Sequence, residues 1–172
     1  MKSGSPARVA ALAVGVVVIA LIAVLAVGIG RSDQSIVGEP APRFAGETID
    51  GNVYDIADAE GKWVIVNFFA TWCPGCINEH DDLIELAEWA DDSGQAEVVA
   101  IVFNDSPEQV EAFFLNQGGD WPVLIDPTVA DRFGVTNIPE TFVVNPSGNV
   151  ALHIEGEVDA EQLIALLEEP AP

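Results

Sequence analysis

The two cysteines of this 172-residue chain are Cys73 and Cys76, and only two residues separate them. This spacing allows one sulfur to attack a disulfide of another molecule and the second sulfur to resolve the mixed disulfide that forms. Residues 63–69, just before the pair, predict a buried strand, and the residues after it predict a helix. A cysteine pair at a strand-to-helix junction is typical of redox chemistry.

The position of each sulfur predicts its role. Cys73 precedes the helix, where unpaired N–H groups and the helix dipole stabilise a thiolate, so we expect it to be the nucleophile. Cys76 lies in the first turns and is expected to be the buried resolving thiol. A zinc half-site is the alternative, but zinc needs about four ligands, and only His80 and His153 remain as His or Cys candidates. We therefore expect no metal and no cofactor.

The N-terminal segment differs from the rest of the chain, because residues 9–30 contain no charged or polar side chain. At about 1.5 Å per residue they would span roughly 33 Å, enough to cross a bilayer. A cleavable signal peptide is the alternative, but its apolar core is usually only about 7–15 residues long. Lys2 and Arg8 precede the span, which predicts a cytoplasmic segment at 1–8, an uncleaved anchor at 9–30 and an extracytoplasmic remainder.

Beyond this segment, residues 31–38 are expected to form a tether and residues 39–172 a single domain. All 28 acidic residues lie in residues 32–172, against three basic ones, which gives a net charge of −25. Nucleic-acid binding is excluded, because phosphate contacts need a basic surface. We interpret the acidity mainly as an aid to solubility, and a basic partner stays open.

The hydrophobic pattern predicts an α/β sandwich around a central mixed sheet. The predicted order is strand, helix, strand, helix, strand, short helix, hairpin and last helix. The bounds are a strand at 63–69, one helix from Pro74 to Ser93, a strand at 97–103, a helix capped by Ser106, a strand at 121–125, a short helix at 126–133, a hairpin at 141–154 and a helix capped by Asp159.

Three local patterns together carry a family resemblance. They are the sequence Asn-Phe-Phe-Ala-Thr-Trp-Cys-Pro-Gly-Cys at 67–76, the pair Glu79 and His80, and Phe-Gly-Val-Thr-Asn-Ile-Pro-Glu-Thr-Phe at 133–142. The chain resembles the membrane-anchored thioredoxin-like proteins of the TlpA/ResA group, and most closely the DsbE (CcmG) branch, which serves cytochrome c maturation. The resemblance covers about residues 37–168. It implies a thioredoxin-like domain and a redox-active disulfide.

The resemblance also implies how a substrate binds. Pro139 is expected to be a cis-proline packed beside the disulfide. Ile138 is expected to offer its backbone to an extended substrate peptide, as an added strand would require. Trp72 is expected to shield the disulfide and to contact substrate, although a packing role for it is equally open.

Two acidic residues are candidates for tuning the thiols. Glu79 follows Cys76 by three residues, so both face the same side of the helix, and its carboxylate is placed to move the Cys76 proton. The alternative is one more solvated acid on an acidic helix. Glu140 follows Pro139, and two acids near the sulfurs would disfavour the thiolates and make the protein a reductant. Asn67 stands where thioredoxin has a buried Asp that accepts a proton. Glu79 or Glu140 is therefore expected to take over that role.

These features predict a membrane-tethered thiol-disulfide oxidoreductase that reduces apocytochrome c or a thiol partner in its maturation. Its electrons would come from a transmembrane thiol donor. A general extracytoplasmic disulfide reductase or isomerase is the alternative. A thiol peroxidase is disfavoured, because Val66 and Ala70 stand where peroxiredoxins carry Pro and Thr. A copper chaperone of the Sco type fits less well, since its cysteines are one residue further apart, although His153 could be its distant ligand.

Overall fold

Strand β3 (Trp63–Phe69), which leads to the cysteine pair, runs through the middle of a five-stranded sheet. The structure is a computed structural model, and it describes residues 36–169. Strand β3 is parallel to one neighbour and antiparallel to the other, and the sheet order is β5 (Val123–Leu124), β4 (Ala96–Val102), β3, β6 (Glu140–Val144) and β7 (Val150–Glu155). The predicted α/β architecture with a mixed central sheet is therefore confirmed.

Seven strands, five α-helices and one 3-10 turn make up the described part of the chain. Besides β3, the strands are β1 (Ala45–Glu47), β2 (Val53–Asp55), β4 (Ala96–Val102), β5 (Val123–Leu124), β6 (Glu140–Val144) and β7 (Val150–Glu155). The helices are a 3-10 turn (Ile56–Ala59), α1 (Pro74–Asn78), α2 (His80–Ser93), α3 (Pro107–Gln117), α4 (Pro127–Phe133) and α5 (Ala160–Glu168). Strands β1 and β2 form a separate antiparallel pair.

The alternation of side chains along β3 divides the core into two halves. On one face, Phe68 lies against Phe133 and Phe142, with ring centroids 5.4 and 5.8 Å away. On the other face, Ile65 packs against apolar residues of α2 and α5, such as Leu86 and Leu163. The run of buried residues in β3 follows from this, since both faces of the strand are covered by other elements.

The predicted caps Ser106 and Asp159 are confirmed, and Asp126, predicted as the first residue of a helix, is instead the cap of α4. Ser106, Asp126 and Asp159 each precede a helix in extended conformation and accept a hydrogen bond from a backbone N–H of its first turn. These bonds satisfy donors that have no partner inside the helix.

The structure differs from the prediction at residues 74–93, which form two helices rather than one. Glu79 separates α1 from α2, with a ψ of −3° that departs from the ordinary helical value. Its buried carboxylate accepts hydrogen bonds from the side chain of Asn67 and the backbone of Val158, so the chain bends to aim this side chain inward. Apolar spacing continues through both helices, which is why the pattern did not reveal the break.

The observed strand β5 is also shorter than the one predicted at 121–125, because only Val123 and Leu124 pair with β4. Pro122, just before them, has no N–H to donate to a ladder. The predicted cytoplasmic segment 1–8, the predicted anchor 9–30 and most of the predicted tether 31–38 lie outside the described residues. Within residues 36–169, no helix is long and apolar enough to cross a membrane.

The aromatic half of the core gives a test of the fold. Phe68→Ala removes a fully buried ring between two other rings and is expected to lower the free energy of unfolding by about 3–5 kcal/mol. The matched control is Leu115→Ala, because Leu115 is 85% exposed on α3; it should change the value by at most about 0.5 kcal/mol. Urea unfolding of the full-length chain measures both, and equal effects would contradict this packing.

Candidate active site

The disulfide between Cys73 and Cys76 lies directly after the carboxyl end of β3. Cys73 is the extended residue that precedes α1, and its sulfur accepts a hydrogen bond from the backbone N–H of Cys76, 3.2 Å away. Pro74 occupies the first helical position, where a missing N–H removes no helical bond. The local sequence therefore builds the strand-to-helix turn that the spacing predicted.

Both cysteines are buried in this oxidised state, Cys73 with 3% and Cys76 with 2% of its surface exposed. Their neighbours Trp72 and Ile77 are 54% and 46% exposed. Trp72 directly precedes Cys73 and Ile77 directly follows Cys76, so two exposed apolar side chains flank the cysteine pair and are available to contact a protein substrate. The indole N–H of Trp72 donates to the carbonyl of Asn104, 3.0 Å away, which holds the ring in place.

Asp105 fixes the loop that carries the disulfide. Its Oδ2 accepts hydrogen bonds from both the backbone N–H and the hydroxyl of Thr71, at 2.7 and 2.6 Å. Its Oδ1 accepts from the backbone N–H of Ser106 at 2.8 Å. Sequence reasoning missed this residue; the available signal was an acid just after β4, whose carboxyl end lies beside that of the parallel strand β3.

The Ile138–Pro139 peptide bond is cis, as the resemblance implied, and Pro139 lies against the cysteine motif. A methyl group added at Gly75 would lie 3.0 Å from Cδ of Pro139, so the proline ring packs closely on the cysteine motif at this glycine. Ile138 is half-buried and packs against the same apolar cluster as the two cysteines. The structure therefore brings together Trp72, Ile138, Pro139 and the disulfide.

Glu79 is buried beneath this surface, with 1% of its area exposed. Its Oε1 accepts from the side-chain amide of Asn67 and its Oε2 from the backbone N–H of Val158, both at 2.8 Å. Burial raises the pKa of Glu79 from 4.5 to about 7, although both hydrogen bonds oppose the shift. The alternative that Glu79 is a solvated surface acid is therefore wrong. Near neutral pH this carboxyl group is able both to accept and to donate a proton.

Asn67 connects this acid to the next strand. Its side-chain amide donates to Glu79 and also to the hydroxyl of Thr141 on β6, 3.0 Å away. Its Oδ1 is buried and has no hydrogen-bond partner within residues 36–169. The pair Asn67 and Glu79 therefore forms the polar centre of an otherwise apolar layer.

Glu140 lies on the opposite face of the sheet. It is paired in register with Phe68, whereas Thr141 is paired with Asn67, and successive residues of a strand point to opposite faces. The carboxylate of Glu140 accepts from Nε2 of His153 at 2.8 Å and from the backbone N–H of Asn137 at 3.3 Å. That Glu140 acts directly on the thiolates stays a prediction.

The structure gives His80 a packing role, which the sequence pattern did not predict. Its Nε2 lies 3.0 Å from the carbonyl of Gly118, and its ring packs edge-on against Phe113 at 4.8 Å. Burial lowers the pKa of His80, which favours the neutral ring in this aromatic setting. Within residues 36–169, no group of three or more His, Cys, Asp or Glu side chains is arranged to hold a metal ion.

Comparison with known proteins agrees with this geometry. The model of the AhpC/TSA family matches residues 37–153. The thiol-disulfide oxidoreductase ResA of Bacillus subtilis (strain 168) is 32% identical over 121 residues, which are 69% of this chain and 67% of ResA. ResA of Geobacillus thermodenitrificans (strain NG80-2) is 31% identical over 138 residues, 79% of each chain.

A solved structure extends the comparison to three dimensions. The thiol:disulfide interchange protein of Chlorobium tepidum TLS, a thioredoxin family protein, superposes with a TM-score of 0.70 at 33% identity. The match covers 80% of this chain and 97% of that one.

The thioredoxin fold, with a Cys73–Cys76 disulfide beside a cis-proline, defines a thiol-disulfide oxidoreductase. The chain belongs to the AhpC/TSA family and is similar to the ResA thiol-disulfide oxidoreductases. The predicted thioredoxin-like α/β fold and the predicted enzyme class are therefore confirmed, whereas the predicted transmembrane helix lies outside the described residues.

The raised pKa of Glu79 has a measurable consequence for stability. The folded protein holds this proton up to about pH 7, whereas an unfolded chain releases it near pH 4.5. The contribution of this proton to the stability of the folded protein is therefore complete below about pH 4.5 and is lost as pH rises through about 7. Over this range the free energy of unfolding falls by up to about 1.4 kcal/mol per pH unit. Glu79→Gln, which carries no charge at any pH, should lack this component in urea unfolding of the oxidised protein between about pH 5 and pH 8.

The matched control is Glu85→Gln, an exposed acid on α2, which should follow the wild-type pH profile. Parallel pH profiles for Glu79→Gln and the wild type would contradict the raised pKa of Glu79.

Proposed function

We propose that this thiol-disulfide oxidoreductase is a reductant, and that its substrate is apocytochrome c or a thiol partner in cytochrome c maturation. The observation that carries the direction of electron flow is the burial of Glu79, 1% exposed, against Asn67 on the face of the sheet that holds the disulfide. Negative charge and low polarity near a sulfur both disfavour its thiolate. A less stable dithiol form gives up its electrons more readily, which favours a reducing role.

The steps of the reaction follow from the arrangement of the groups. In the reduced protein, the Cys73 thiolate attacks the disulfide of the partner, forms a mixed disulfide and releases one partner thiolate. Cys76 then passes its proton to the Glu79 carboxylate and attacks the sulfur of Cys73. The mixed bond breaks, the second partner sulfur leaves as a thiolate, both partner thiolates take up protons from solvent, and Cys73 and Cys76 become the disulfide. The partner has gained two electrons and the enzyme has lost them.

The proposed setting rests on the apolar run at residues 9–30. As an uncleaved anchor with residues 1–8 in the cytoplasm, it would hold the oxidoreductase domain at the outer face of the cytoplasmic membrane. A reductant there needs electrons from inside the cell. We therefore include a transmembrane thiol donor, which reduces the Cys73–Cys76 disulfide after each cycle.

The assignment to cytochrome c maturation has its support in the DsbE-like features of the sequence. These are Glu79 with His80 and the Pro139-Glu140-Thr141 run. An apocytochrome c presents a Cys-x-x-Cys-His segment for haem attachment, and its two cysteines must be reduced before haem is joined to them. The exposed Trp72 and the cis-proline loop form a surface where such an extended segment can bind.

The direction of electron flow is tested by a reduction potential. Titration of the full-length protein against dithiothreitol should give a value near thioredoxin's roughly −270 mV, and a value near DsbA's roughly −120 mV would contradict a reducing role. Glu79→Gln should shift the potential upward by roughly 30 mV, a tenfold change in the equilibrium constant. The exposed control Glu85→Gln should leave it unchanged.

The identity of the substrate is tested by trapping. Cys76→Ser leaves Cys73 free to form a mixed disulfide that cannot be resolved, so the partner should be recovered from cells as a thiol-sensitive adduct. We expect apocytochromes c or proteins that handle them. The control is Cys73→Ser, which should trap nothing. Adducts with many unrelated extracytoplasmic proteins would refute the maturation role and indicate a general reductase or isomerase.

A further inference from the structure

We propose that His153 is a positioning residue for substrate binding: through Glu140 it holds the Ile138–Pro139 loop in place beside the disulfide. The sequence offered His153 only as a candidate ligand for zinc or copper. The inference rests on the thiol-disulfide exchange activity and on the proposed contact of substrate with this loop. It does not depend on which protein the substrate is.

The ring of His153 is held in one orientation. His153 lies on β7 opposite Phe142 of β6, and the two rings stack with centroids 4.1 Å apart and an interplanar angle of 8°. The stacked ring points its Nε2 at Oε2 of Glu140, 2.8 Å away. Because a carboxylate only accepts hydrogen bonds, the Nε2 of His153 is the donor.

Glu140 transmits this restraint to the loop. Its second oxygen accepts from the backbone N–H of Asn137, at 3.3 Å. Asn137 precedes Ile138 and Glu140 follows Pro139, so the carboxylate bridges the two ends of the loop. The carbonyl of Pro139 in turn accepts from the backbone N–H of Gly156, 2.9 Å away. The loop is thereby fastened to β7 and to the turn that follows it.

Loss of the His153 contact would release this bridge. Glu140 is 7% exposed, and its Oε2 has His153 as its hydrogen-bond partner within the described part of the chain. A buried carboxylate oxygen without a donor is costly, so the side chain of Glu140 would turn toward water. That movement would also break the bond to Asn137 and free the loop.

The position of the loop matters for a peptide more than for a small thiol reagent. Pro139 packs on Gly75, inside the cysteine motif, and Ile138 packs in the cluster that surrounds the two sulfurs. A substrate peptide has to lie along this loop to bring its disulfide to Cys73. A small aromatic disulfide needs only access to the sulfur. Release of the loop should therefore weaken peptide binding and leave the intrinsic reactivity of Cys73 unchanged.

The test compares His153→Phe, which keeps a flat ring on Phe142 but has no donor, with His153→Gln, whose amide restores one. Single-turnover rates are measured with the reduced full-length protein and either a short disulfide-bonded peptide or 5,5′-dithiobis(2-nitrobenzoate). His153→Phe should raise the half-saturating peptide concentration about fivefold to tenfold, with the plateau rate and the rate with the small reagent within about twofold of the wild type.

His153→Gln should return the half-saturating concentration to within about twofold of the wild type. The matched control is Glu161→Gln, an exposed residue on α5, which should have no effect. An unchanged half-saturating concentration in His153→Phe, or an equal loss of rate with peptide and small reagent, would overturn the proposal.

A second variant covers the case in which His153→Phe does not fold. Glu140→Ala removes the carboxylate that joins His153 to the backbone N–H of Asn137. The half-saturating peptide concentration should again rise about fivefold to tenfold, with the rate of the small reagent within about twofold of the wild type, and an unchanged half-saturating concentration would overturn the proposal. These readouts use no cytochrome, so they can succeed even where trapping contradicts a role in cytochrome c maturation.

Discussion

The hydrogen bond between the Asn67 amide and the buried Glu79 carboxylate is the contact on which the rest of the site depends. It explains why the helix after the cysteines stops at Asn78 and restarts at His80, since the chain must bend to bring Glu79 inward. It also places a group with a pKa of about 7 on the face of the sheet that holds the disulfide. A single buried acid therefore determines the local backbone shape and is able to exchange a proton near neutral pH, and our proposal is that it also sets the direction of electron transfer.

The two acids that the sequence predicted to tune the thiols, Glu79 and Glu140, lie in different parts of the fold. Glu79 lies with Asn67 on the face of the sheet that holds the disulfide, and Glu140 lies on the opposite face with His153. The first is placed to exchange protons, and the second is placed to hold the cis-proline loop. Asp105 holds the other side of the site by binding Thr71. Carboxylates thus fix both the loop that carries the disulfide and the cis-proline loop beside it.

Local patterns predicted most of the fold, because caps, apolar runs and the Cys-x-x-Cys spacing depend on near neighbours in the chain. The break at Glu79 escaped prediction, because its cause is a contact with Asn67 and Val158, which are distant in sequence. The partnership of His153 with Glu140 escaped for the same reason, since it depends on the pairing of β6 with β7. Burial of an acid among many surface acids is likewise a property of the packed fold.

The most direct test of this account is the titration of Glu79 itself, followed by the carboxyl stretch in infrared spectra of the oxidised protein. Subtraction of the Glu79→Gln spectrum isolates its band from those of the other acids. The account predicts a midpoint near pH 7, at which the protonated band gives way to the carboxylate band. A midpoint near 4.5, the ordinary value for a glutamate, would contradict it.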